Sequence, residues 1–209
     1  AIAAGTVTVT PGPLSQLLAL NLNNVNYTIQ DTLANISASS ITAGGVEYNS
    51  QALATTLGGA TSITIQEANN ASIDLDVSAN RDAMRTAVSR AVSGNTNVPI
   101  TATVNGNYTN ITAGTDANNA ANSLNTTTAR GDVISITVDD NLSIANITTL
   151  AGKTDSASSV SYSTIQDTHA ILNHADNENT ISNKNLIISD AVSLSTANTI
   201  KGKTSGTLT

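Results

Sequence analysis

Short segments of this chain repeat, on a scale too small to make a domain. Tyr27-Thr28-Ile29-Gln30-Asp31-Thr32 returns as Tyr162-Ser163-Thr164-Ile165-Gln166-Asp167-Thr168 with one insertion. Ser62-Ile63-Thr64-Ile65 matches Ser135-Ile136-Thr137-Val138, and Ile41-Thr42-Ala43-Gly44 recurs as Ile111-Thr112-Ala113-Gly114. In the last third, Leu142-Ser143-Ile144-Ala145-Asn146 answers Leu194-Ser195-Thr196-Ala197-Asn198. Each is followed by Gly-Lys-Thr, at 152–154 and 202–204. A unit of about 25 residues cannot bury its own apolar face, so it folds by stacking on its neighbours.

Composition fits stacked layers better than a thick globular core. Hydrophobic residues make up 39%, yet there is no Phe, Trp or Cys, and four Tyr are the only aromatics. Thr, Ser and Asn together supply 81 of the 209 residues. Three Pro, a mean hydropathy of -0.01 and well-spread Val and Ile exclude a disordered chain. The absence of Cys excludes a disulfide scaffold, a thiolate metal site and a cysteine nucleophile. A net charge of -7 and the scarcity of aromatic faces argue against a nucleic acid partner. The longest apolar stretch, Leu17–Leu20, is far below the roughly 20 residues of a membrane span. The start at Ala1, the lack of Cys, the few Lys and the abundant Thr and Asn suggest a secreted, processed or excised bacterial product. Ser205-Gly206-Thr207-Leu208-Thr209 reads as the entry into another strand, so the expectation is a piece of a longer array.

Period-2 alternation predicts strands at 6–10, 25–30, 62–66, 73–77, 99–104, 133–138, 160–165 and 186–189, with a break at Pro11-Gly12-Pro13. One amphipathic helix is predicted over 81–92. Its stripe is Met84, Ala87, Val88, Ala91 and Val92, its N-cap Asn80, with Asp82 in the first turn and Gly94 as the stop. The expected fold is mainly β with short helices (α+β). Residues 1–24 form a strand and linker, 25–132 a β-rich domain holding the helix, and 133–209 three solenoid-like strand-turn-helix repeats. Asp31, Asp139, Asp167 and Asp190 close strands, where each can cap the short helix that follows.

The stretches 27–36, 162–172 and 188–209 carry a pattern of strand, Asp-Thr, Leu-Ala-Asn and Ser-Gly-Thr-Leu-Thr. It resembles repeats of very large secreted bacterial surface proteins of the S-layer and adhesin type, cyanobacterial ones included. Residues 73–104 are similar to strand-helix-strand modules of flagellin-type filament proteins. The resemblance implies a structural, extracellular protein assembled into sheets or filaments, and raises the case for calcium.

Candidate chemistry is sparse. Asp139-Asp140-Asn141 and Asp176-Asn177-Glu178-Asn179 place oxygen ligands at turns, which makes Asp139, Asp140, Asp176 and Glu178 the candidate calcium ligands. Solvated turns are the competing account, and no cofactor is required. The two Gly-Lys-Thr triplets lack the upstream Gly of a phosphate loop, since Ile147 and Ala197 stand there. His169 and His174 are the only histidines, and no Gly-x-Ser-x-Gly elbow accompanies them, so an enzyme is not expected. Arg130-Gly131-Asp132, the tripeptide read by some animal receptors, is expected to be an ordinary turn. Sequons at Asn26, Asn35, Asn70, Asn107, Asn110, Asn125, Asn141 and Asn146 follow largely from composition.

The expected function is therefore non-enzymatic. The chain would be a secreted or cell-surface protein whose partner is itself, in a layer, filament or adhesive array, with a cell-surface glycan as a further partner. The alternatives are a bacteriophage virion component (fibre or head decoration) and a carbohydrate-binding module. The module would need aromatic platforms that four Tyr hardly provide.

Overall fold

The structure, a computed structural model, describes residues 8–20, 22, 25–91, 98–112, 132–152 and 159–209. Its strands, in chain order, begin with β1 (Thr8–Gly12), β2 (Asn26–Asp31) and the hairpin pair β3 (Ser40–Ala43) and β4 (Val46–Asn49). Then come β5 (Ser62–Ile65), β6 (Ile73–Asp74), β7 (Ile100–Gly106), β8 (Val133–Val138), β9 (Ser159–Ser161), β10 (Thr164–Asp167) and β11 (Asn185–Ile188). The larger sheet has the order β1-β2-β5-β7-β8-β9, every pair parallel, with β6 also parallel to β7. β10 and β11 form a second parallel pair. It is tied to the rest through a bridge from Leu142 to Ile165, and Leu186 is bridged in turn to Leu208.

The class is α/β, with a mainly parallel central sheet and short helices, which corrects the α+β expectation. The physical reason lies in the connections. Parallel neighbours need a crossover, and the chain supplies it with short helices such as Leu14–Leu18, Leu33–Ser37, Tyr108–Thr112 and Ile144–Ala151. No closed barrel occurs among the described residues.

Alternation sorts the sheet into two unlike faces. On the inner face lie Tyr27, Ile29, Ile63, Ile100, Val104 and Ile136, all buried against helices in one large apolar cluster. A smaller cluster of Ile165, Leu172, Ile181, Leu186 and Ile200 sits beneath β10 and β11. Ile147 and Tyr162 pack against both clusters and join them.

Several local expectations shift. The helix expected at 81–92 begins at Ser78 and is described to Ala91, with Met84, Ala87 and Ala91 buried. Asn80 is therefore no N-cap but an interior residue, and its amide donates to the Asp74 carbonyl at 2.8 Å. Because the helix starts early, β6 stops at Asp74 and does not reach Val77. Val92 and Gly94 lie outside the described residues, as do Ala113 and Gly114. The strand expected over 160–165 is split into β9 and β10. The repeat in the last third also changes register. Ser143 and Ser193 are both N-caps, accepting from Asn146 N and Thr196 N at 3.1 Å, so Leu194 corresponds to Ile144 and not to Leu142.

Candidate functional site

Two arrangements stand out, a row of carboxylates along one rim of the sheet and a bare polar face. The rim arises because strands end on acids while helices begin with unsatisfied N–H groups. Asp31 closes β2, and its Oδ2 accepts Leu14 N at 2.8 Å, the first residue of the helix that follows the neighbouring strand β1. The same contact recurs across neighbouring strands. Leu33 N donates to Glu67 Oε1 and Tyr108 N to Asp140 Oδ1, both at 2.8 Å. Ile144 N donates to Asp167 Oδ2 at 3.1 Å and His169 N to Asp190 Oδ1 at 2.8 Å. Asp31 and Asp167 use the other oxygen on their own turn, at Thr32 N (2.8 Å) and Thr168 N (2.9 Å). Each acid thus staples one strand-helix unit to the unit before it.

Among the four candidate caps, Asp31, Asp167 and Asp190 occupy staple positions. Asp139 does not. Its carboxylate takes the Asn105 side-chain amide at 3.0 Å, while Asp140 beside it makes the staple. Glu67 is a staple the sequence reading missed. Its signal was there in the acid two residues past a strand, obscured because Glu replaces Asp.

The candidate calcium ligands fall into two separate places. Asp139 and Asp140 lie at the end of β8, where the hydrogen bonds above already engage them. Glu178 pairs with Lys203 Nζ at 3.0 Å, and Asp176 stands 3.6 Å from His174 Nδ1. Among the described residues no group of three or more His, Asp or Glu side chains is gathered as a metal set. The two histidines also go separate ways, since His169 Nδ1 meets Asp190 Oδ2 at 2.6 Å. Asp190's carboxyl is held below its ordinary value, first by the His169 backbone N–H and then by the His169 ring.

The remaining motifs have structural surroundings. Asp132 is 1% exposed and its Oδ1 accepts Ile100 N at 2.8 Å, so the acid of the Arg-Gly-Asp triplet is inside the protein. Arg130 and Gly131 lie outside the described residues. Gly152 and Gly202 end helices. Lys203 lies against Glu178, the buried Thr204 donates to the Lys184 carbonyl at 2.6 Å, and Lys153 and Thr154 are not among the described residues. Of the sequon asparagines, Asn26, Asn35, Asn70 and Asn141 are exposed, and Asn125 lies outside the described residues.

The second arrangement is the outer face of the sheet. Parallel sheets are usually covered on both sides, but among the described residues no helix lies over this one: most of its side chains are exposed to solvent and the rest half-buried. The outward positions of β2, β5, β7, β8, β9, β10 and β11 carry only Asn, Gln, Ser and Thr, apart from Val133 and Ile187, while β6 brings the exposed Asp74 to the same face beside Asn105. Pairing puts Thr103, Ser135 and Ser159 in one row and Asn105, Thr137 and Ser161 in the next.

One open apolar cavity of about 590 Å³ lies among Leu17, Leu22, Tyr27, Tyr48 and Ala52, where Tyr27 Oη donates to the Thr56 carbonyl at 2.6 Å. It holds no acid, base or nucleophile pair. No helix among the described residues is long and apolar enough to cross a membrane. In comparisons with known proteins, the chain matches no family model, no curated protein and no solved structure at a significant level.

Proposed function

We propose that this chain is a non-enzymatic, extracellular structural protein whose strand-helix units stack as a solenoid-like array and continue that stacking from one copy to the next. The outcome is a filament or surface layer of the kind its repeats resemble. The observation that carries the reading is Leu194, which is 78% exposed at the first position of its helix. The corresponding Ile144 packs against the smaller apolar cluster, and its N–H is held by Asp167 of the unit that follows. The unit at 185–209 thus leaves exposed an apolar side chain at the position where the unit before it packs against its neighbour. A strand-bearing unit from another copy supplies that cover.

Main-chain pairing supports the same reading. Thr207–Thr209 is added to β11 by three backbone hydrogen bonds of 2.8–3.0 Å. An edge that takes an extended segment in this way is a template for a further strand. An end-to-end contact joins two different surfaces, so it propagates as an open filament unless a rotation closes it. Electron microscopy of the purified chain over a concentration series tests this. Filaments or sheets are expected, thinned or lost in Leu194→Glu. Dispersed single particles at every concentration overturn it.

A further inference from the structure

We infer that the open cavity beside the helix Ser50–Gly58 is a binding site for a small neutral molecule, mainly hydrocarbon, that carries a hydroxyl. The inference is independent of the assembly reading. Residues between 17 and 59 line the cavity, whereas the assembly contacts were placed on 185–209.

The cavity exists because one side of that helix is too short to fill the space it borders. Leu53 and Leu57 are fully buried in the larger cluster. Ala52, Thr55 and Thr56 instead line about 590 Å³ of open space together with Leu17 and Leu22. Tyr27 and Tyr48 complete the wall, two of only four aromatic side chains in the whole chain. That volume falls among ordinary small-molecule sites, which run from about 300 to 1,000 Å³. Leu20 also lines it and is 52% exposed, so the apolar wall reaches solvent and a ligand can enter. Two rings and several aliphatic chains are the surroundings that an aromatic or alicyclic body fills.

Polar chemistry narrows the ligand further. Among the described residues lining the cavity there is no Asp, Glu, Lys, Arg or His, so a charged ligand would lose its hydration without gaining a counter-charge. The hydroxyls on the wall define what the ligand must bring. Tyr27 Oη donates to the Thr56 carbonyl at 2.6 Å. Thr55 Oγ1 donates to the Gln51 carbonyl at 3.0 Å, and Thr56 Oγ1 to the Ala52 carbonyl at 3.1 Å. These three protons are spent on backbone, and each oxygen keeps lone pairs with which to accept. A ligand O–H meets acceptors there. A ligand ether or carbonyl meets no donor among these three groups. Burial raises the pKa of Tyr27, which keeps its hydroxyl neutral.

The Tyr27 hydroxyl is also fixed in place. A Cβ on Gly59 would fall 2.6 Å from Tyr27 Oη, so only a glycine leaves it room there. A peptide segment is a poorer occupant than a small alcohol. It would bury carbonyl acceptors against the same lone pairs, whereas the alcohol brings the donor that the wall can use.

Three probes of one size test this: 2-naphthol, 2-methoxynaphthalene, which lacks the donor, and 2-naphthoate, which carries a charge. Each is titrated into dilute chain bearing isotope-labelled tyrosine, whose four ring signals at Tyr27, Tyr48, Tyr108 and Tyr162 report the place of binding by NMR. 2-Naphthol should bind saturably, shift Tyr27 and Tyr48 and leave Tyr162 in place. It should bind about five-fold tighter than 2-methoxynaphthalene, the worth of one hydrogen bond, and 2-naphthoate should not saturate. Ala52→Phe should fill the space and abolish binding with an unchanged circular dichroism spectrum. Should that variant unfold, the smaller Ala52→Leu should weaken binding in a folded chain. Equal affinity for the three probes overturns the inference, as do shifts spread evenly over all four tyrosines or unchanged binding in a folded Ala52 variant. Tyr27 and Tyr48 signals that move with chain concentration alone would assign the cavity to a second copy and overturn it too. Failure of 2-naphthol to saturate sinks the site and leaves end-to-end assembly, which microscopy reads separately, untouched.

Discussion

At Asp167 the two carboxylate oxygens serve different units. One takes Thr168 N of its own turn and the other Ile144 N of the unit before, so a single side chain caps locally and ties units together. Replacing it with Ala leaves two helix-start amides without their acceptor, and a loss of about 1–2 kcal/mol is expected. Thermal melts of Asp167→Ala should show it, and an unshifted melting temperature would remove the staple from the account. Asp190 adds a pH signature. Its pKa is depressed in the folded state by the His169 N–H and ring, so its contribution is complete above the unfolded aspartate pKa and is lost as pH falls through the folded one. The gap in melting temperature between the parent and Asp190→Ala should be full at neutral pH and close as pH drops below about 4. A gap that stays constant into acid contradicts the role. These staples were half legible in the sequence. An acid at a strand end is visible locally, but its partner lies 17 residues away at Leu14–Asp31 and 34 at Leu33–Glu67, and only the parallel pairing of neighbouring strands brings them together.

Elements were readable where one face is apolar and the other polar. β8 occupies the predicted residues, because Ile134, Ile136 and Val138 are buried while their neighbours face solvent. The hairpin of β3 and β4 escaped notice, since all its residues but Ala43 are exposed or half-buried and show no clean alternation. Its signal was Gly44-Gly45, both at positive φ (57° and 79°), which a two-residue hairpin turn requires. The helix Ser50–Gly58 was missed as well, although Asn49 caps it by accepting Ala52 N at 3.1 Å. Its only fully buried side chains are Leu53 and Leu57, one apolar step on an otherwise polar surface. At this scale the last rung makes the sharpest prediction. A Cβ at Gly206 would fall well inside contact distance of the Lys184 carbonyl, which is backbone and cannot yield as a side chain would. Gly206→Ala should therefore push Thr207–Thr209 away from β11. The amides of Leu186 and Ile188, which donate to Thr207 O and Thr209 O at 2.8 and 3.0 Å, should lose hydrogen-exchange protection. Amides of β7 and β8 should keep theirs. Unchanged exchange at Leu186 would show that the close approach is not real.

The described residues hold two apolar clusters of unequal size beneath mainly parallel strands, and stability should be distributed accordingly. Removing residues 185–209 takes away β11, the helix Leu194–Lys201 and the Asp190 staple on His169. Leu186 and Ile200 leave the smaller cluster, while the larger cluster loses nothing from its own membership. If the units stack through neighbour contacts as proposed, the remainder should survive this, because each unit then depends on the next one and not on the far end. The truncated chain should therefore keep a cooperative thermal transition and most of its circular dichroism signal, at a lower melting temperature. It should also associate more readily than the parent, since β10 becomes a bare edge with Ile165 and Leu172 partly uncovered. Sedimentation of the truncated and full-length chains side by side checks both parts. Complete unfolding of the remainder would mean that the two clusters form one cooperative globule. In that case the end-to-end assembly proposed from Leu194 would lose its physical basis, because an end unit of such a globule could not stand in for the next copy's inner one.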